Sequence, residues 1–161
     1  MCQHELETAR TRQVPILTVL LESTPPEELR NRIWINANSP DQDVAGQALQ
    51  DLGVAIKKHA EAYRAAHRLH TDQPPEETRK WAQFLFDCVD PALIADHLCR
   101  IAASYKPETD IVTRYWIALS IGKVGSPHSG MILNQLEWED EPLPLEGIRQ
   151  ARDMLAQAGI T

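Results

Sequence analysis

A chain of 161 residues, 43% of them apolar and with no low-complexity tract, buries roughly 70% of its extended-chain surface on folding, which excludes wholesale disorder and any need for a disulfide or metal staple. Sixteen basic against twenty-three acidic residues leave a formal net charge of −7, a balance that repels polyphosphate backbones and disfavours nucleic acid as a partner. Three cysteines without a Cys-x-x-Cys pair, a start lacking a basic region followed by an apolar one, and no apolar run of membrane-spanning length point to a reduced, cytoplasmic protein of one domain, 1–161, with no membrane contact.

In chain order, Val14 to Leu21 is the first apolar segment. Its β-branched residues fit a buried strand by periodicity alone, but a lone strand has no partner, so a helix from near Pro15 ending before Thr24 is expected. Thr24-Pro25-Pro26-Glu27 and Ser39-Pro40-Asp41-Gln42 each read as a capping box with proline at the first helical position. The second opens the longest candidate of the N-terminal half (1–72), an amphipathic helix over 40–70. On it Ala45, Ala48, Leu52, Ala55, Ile56, His59, Tyr63, Ala66 and His70 recur on one face, which is expected to be packed. Lys57, Glu61, Arg64 and Arg68 occupy the opposite, solvated side. Gly46 and Gly53 each cost roughly 1 kcal/mol relative to alanine, so the segment is either one helix or two broken near Gly53. Asp90-Pro91 and Ser126-Pro127 read as N-cap followed by first helical residue, and Pro75, Pro107 and Pro144 open three further helices. The total is about eight helices and no credible strand pair.

The C-terminal half repeats. A shift of 35 residues pairs Thr78-Arg79-Lys80-Trp81 with Thr113-Arg114-Tyr115-Trp116, Val89 with Val124, and Leu98 with Leu133. Each copy passes a turn, at Asp90-Pro91 or Gly125-Ser126-Pro127, into a second apolar helix, which makes it a helix-turn-helix unit of solenoid size. A third copy begins near Ile148. The repeats span 75–106, 107–141 and a partial 142–159.

The run from Arg114 to Gly125, with its arginine, small residues, the Ile121-Gly122 pair and a further glycine, resembles the first helix of a HEAT-like repeat, including the subclass named after phycobilin lyases. The resemblance covers about residues 75 to 159, and the first copy departs from it with Phe86-Asp87 where Ile121-Gly122 stands. It implies an all-α fold: a short α-solenoid of antiparallel helical hairpins, HEAT/armadillo-like, in which stacked neighbours bury what one hairpin cannot. It also implies binding more readily than chemistry, and an adaptor or regulatory subunit for a protein partner is the expected function. Second helices usually face the concave side of such stacks, which nominates Asp96, His97 and Arg100 in one hairpin and Asn134 and Gln135 in the next as exposed partner-binding residues. Trp138, just beyond, is the expected aromatic anchor.

No residue set has a catalytic pattern, and no cofactor is expected. Lys57, Lys58, Arg64 and Arg68 form the best anion-binding stripe, and they carry the alternative function, a nucleic-acid-binding or DNA-repair HEAT-like protein. His67 and His70 share a helix face and are the sole metal candidates, without the glutamate of a His-Glu-x-x-His site. Cys88 and Cys99 are expected to be buried apolar thiols rather than nucleophiles, and Trp81 and Trp116 to be packing residues at equivalent repeat positions.

Overall fold

The computed structural model describes residues 18–20, 34–36, 42–71 and 73–160, with side-chain surroundings from 46 onward. The capping box at Thr24–Glu27 and the Ser39–Asp41 part of the second lie outside the described residues. Two compact units divide the chain, Met1–Ala60 and Glu61–Thr161.

In the first unit, β1 (Thr18–Leu20) pairs in parallel with β2 (Trp34–Asn36), Thr18 opposite Trp34 and Leu20 opposite Asn36. This corrects the helix expected over these positions and the absence of any strand pair. The β-branched Thr18, Val19 and Ile35 and the aromatic Trp34 suit an extended backbone, and residues 21–33 supply the dozen or so positions that a parallel return requires. The partner of the first strand is short and distant in sequence, so no local pattern announces it.

Helices make up nearly all the rest. The first, α1 (Gln42–Arg68), runs unbroken through Gly53, where a Cβ would meet nothing within 4 Å. Its packed face differs from the expected one. Ala62, Ala65 and Ala66, with Leu69 just beyond the helix, are buried in the second unit, whereas Ile56, Tyr63 and His70 are exposed. Alanines let a neighbouring backbone approach closely; of the expected stripe Ala48 and Ala66 are buried and Leu52 and His59 half-buried, while Ile56, Tyr63 and His70 turn outward.

The second unit continues with α2 (Pro75–Cys88), α3 (Pro91–Asp96), α4 (Leu98–Ala102), α5 (Ile111–Val124), α6 (Pro127–Asn134) and α7 (Pro142–Gln157). Seven helices stand among the described residues, against about eight expected. Capping chemistry sets the starts: the Asp90 carboxylate accepts the Ala92 N–H at 2.8 Å and the Ser126 hydroxyl accepts the Ser129 N–H at 3.1 Å. Two expectations move. Pro107 opens no helix, because Asp110 three residues later provides the cap of α5, and α7 starts at Pro142 rather than Pro144. Among the described residues no helix is long and apolar enough to cross a membrane.

The centre of the unit is α5, buried continuously from Ile117 to Gly122 and packed on by α2, α3, α4, α6 and α7. A helix apolar on all sides has to be surrounded. Arg79 near the start of α2 meets Asp110 at the start of α5, while Lys123 near the end of α5 donates to the Phe86 and Val89 carbonyls at the end of α2. The two helices therefore point the same way. So do α5 and α7, because Tyr115 faces Gly147 and Gly122 faces Ala151. A Cβ on Gly122 would lie 2.5 Å from the Ala151 Cα, which makes this crossing the tightest described. Gly125, at φ 62°, takes the left-handed conformation that ends α5.

Candidate functional site

Two arginines at equivalent repeat positions each reach a carboxylate just ahead of the next long helix. Arg79 grips Asp110 with two hydrogen bonds of 3.2 and 3.3 Å, half in solvent. Arg114, 35 residues on, grips Glu139 at 2.5 Å, and both side chains are buried. Burial of an ion pair is costly unless the remaining lone pairs are satisfied. On the carboxylate they are: Glu139 Oε2 also accepts the Tyr105 hydroxyl at 2.8 Å, and Oε1 accepts the Glu141 N–H at 3.1 Å, beside the start of α7, whereas the buried Arg114 Nε has no hydrogen-bond partner among the described residues. Burial, then the Glu139 hydrogen bond and charge, push the Tyr105 hydroxyl well above its ordinary pKa, so it stays a donor.

On this buried triad sits Trp138. Its ring makes a T-shaped contact with Tyr105, centroids 5.8 Å apart, and lies 5.9 Å from the Arg114 guanidinium carbon, yet 45% of the residue is exposed. One part of this aromatic surface is packed and the rest is open to solvent. The flanking Glu137, Asp140 and Glu141 are exposed. The Arg114–Glu139 pair beside Trp138 was not singled out from sequence; the signal was available in the arginines 35 residues apart and the acid preceding each helix start.

No family model, curated protein or solved structure matches this chain.

Of the other partner-binding candidates, Asp96, Asn134 and Gln135 are exposed, with the Asn134 side-chain oxygen accepting from Arg152 at 3.4 Å. His97 is not: it is 2% exposed, at the break between α3 and α4, its ring edge-on to Tyr63 at 5.9 Å. Arg100 is half-buried, its guanidinium 5.2 Å from the centre of the same tyrosine ring. These two residues pack against Tyr63 of α1 in the second unit, which corrects the exposure expected for them from the HEAT-like resemblance. The stripe residues Lys57, Lys58, Arg64 and Arg68 are all exposed on α1. The His67 ring stacks on Tyr63, interplanar angle 4°, and His70 is exposed one residue beyond Leu69. Among the described residues no three His, Cys, Asp or Glu side chains gather as a metal site.

Cys88 and Cys99 are exposed, which corrects the expectation of buried thiols. Leu85 and Val89, and Leu98 and Ile101, take the buried faces beside them. Cys99 Sγ lies 3.7 Å from the His128 ring nitrogen. Trp81 and Trp116 pack against the core, edge-on to Phe84 and tilted against Phe86 respectively.

The Asp110 cap carries a pH dependence. Burial raises its carboxyl, but hydrogen bonds from Arg79 and from the Thr113 N–H and hydroxyl outweigh burial and hold it below the ordinary value of 3.8. A carboxyl depressed in the folded state stabilises above its unfolded pKa, and that contribution is lost as pH falls through the lower folded value. Asparagine caps a helix about as well, so Asp110→Asn isolates the charge. Urea midpoints should place the variant below wild type by under about 1 kcal/mol at pH 7, given the half-exposed partner, with the gap closing below about pH 4.

Proposed function

We propose that the chain is a non-catalytic helical-repeat module, an adaptor or regulatory subunit that binds a protein partner through its C-terminal hairpins, with Trp138 as the anchor. The carrying observation is the half-exposed Trp138 ring mounted on the buried Tyr105–Glu139–Arg114 triad. Support for a HEAT-like α-solenoid comes from α2, α5 and α7, which point one way and whose repeated arginines tie one unit to the next. The short helices α3, α4 and α6 are the return strokes of this reading. Arg149, a further 35 residues on, pairs instead with Glu146 and Asp153 of its own helix, which gives α7 the polar outer face of a terminal repeat.

Trp138→Ala tests the reading. With nearly half its surface in water, truncation should cost about 1–2 kcal/mol rather than the 3–5 of a core tryptophan. A melting temperature lowered by only a few degrees is expected, together with loss of a stoichiometric protein that accompanies the wild type from native extract. Absence of any such protein, or turnover of a small molecule by the purified chain, overturns the proposal. A drop in melting temperature matching the core value removes Trp138 from the binding surface.

A further inference from the structure

We infer that the surface around Trp138 takes a basic, apolar-bearing peptide segment of a protein partner; this rests on the proposed function and names the chemistry of the partner. Tyr115 and Gly147 touch, and α5 and α7 run the same way. Ile111 and Leu143, each one turn earlier, lie at the N-terminal ends of the two helices, and both are exposed, 42% and 38%. Trp138 rests on Arg114, one turn after Ile111, so three large apolar groups share one end of the helix pair. Several large apolar groups exposed at one end of a helix pair mark a candidate interaction site.

Charge decides the occupant. Glu108, Glu137, Asp140 and Glu141 are exposed in the two segments that frame the patch, against one exposed cation there, Lys106, which has no ion pair among the described residues. Helix starts account for Asp110, Glu139 and Glu141, which cap or adjoin α5 and α7. They do not account for Glu137 and Asp140, which flank Trp138 and pair with no cation among the described residues. A lysine or arginine beside an apolar side chain satisfies both features, the cation against these carboxylates or the indole and the apolar group against Ile111 and Leu143. Nucleic acid and anionic lipid are repelled by the rim. A second copy would bring the same acids face to face.

The test uses the full chain and two fluorescein-labelled octapeptides, one alternating lysine and leucine, the other glutamate and leucine, followed by anisotropy at about 20 and 200 mM salt. The basic peptide is expected to bind and the acidic one not, with affinity falling as salt rises. Glu137→Gln with Asp140→Asn should weaken binding about tenfold and flatten the salt dependence, and Trp138→Ala should weaken it at least as much, each with unchanged helical circular dichroism. Asp87→Asn with Asp153→Asn, the same change of charge on exposed residues toward the other ends of α2 and α7, should leave binding within about twofold of wild type. Binding of the acidic peptide, no binding of the basic one, or an equal loss from the distant pair overturns the inference. If any of these occurs while a Trp138-dependent protein still co-purifies, only the chemistry of the partner is wrong; if that protein is absent as well, the interaction reading falls with it.

Discussion

Arg114→Met is expected to destabilise the protein by about 3–5 kcal/mol, the largest effect of any single polar substitution here, because it strands the Glu139 carboxylate in a site with no access to water. Glu139 would keep the Tyr105 hydroxyl and the Glu141 N–H, two neutral donors in place of a guanidinium. Glu139→Gln is the milder partner, since glutamine still accepts from Tyr105 and Arg114, and it should fall at the lower end of that range. Of a total stability of roughly 5–15 kcal/mol, either loss is a large share. Urea unfolding of both variants measures it. The double replacement Arg114→Met with Glu139→Met removes both charges and should recover much of the loss, as buried pairs replaced together often do. A double variant no better than the worse single one would mean that the triad packs the start of α7 through shape rather than charge. Trp138 leans on the same guanidinium, so both single variants should also weaken any partner that uses the tryptophan.

Gly122→Ala is expected to cost about 2–3 kcal/mol, against the gain of about 1 kcal/mol that helix propensity alone would bring. The new methyl would lie 2.5, 2.6 and 2.8 Å from the Cα, Cβ and carbonyl oxygen of Ala151, two of them backbone atoms that move only if α7 moves. Gly53→Ala is the internal control. It sits inside α1 with nothing within 4 Å of the added carbon, and it should stabilise by about 0.5–1 kcal/mol. Opposite signs for one chemical change on two helical glycines, read from denaturant midpoints, would establish that α5 and α7 meet backbone to backbone. Ala151→Gly on top of Gly122→Ala removes the clash with the Ala151 methyl but leaves the clash with its backbone, so it should restore part of the loss.

That crossing also explains where the repeat departs from its own pattern. In the first copy Phe86-Asp87 replaces Ile121-Gly122, and α5 answers with Trp116 against Phe86, rings 5.7 Å apart. An aromatic pair spaces α2 from α5, whereas paired small residues draw α5 and α7 together.

The sequence by itself determined what local chemistry controls. Helix starts at Pro75, Asp90 and Ser126 were legible because a proline or a capping oxygen acts on atoms within three residues. The helical character of the C-terminal half was legible because it is a periodicity. Only the tertiary structure decided which faces are covered. Tyr63 on α1 meets His97 and Arg100 more than thirty residues away, which buried one proposed contact residue and half-buried another. Trp138 is only partly covered because Tyr105 and Arg114, 33 and 24 positions earlier, are what it packs on. The strand pair of the first unit was hidden for the same reason, since each strand is three residues long and its partner is remote. Burial and pairing are properties of distant segments brought together, and periodicity along one segment does not specify what arrives from another.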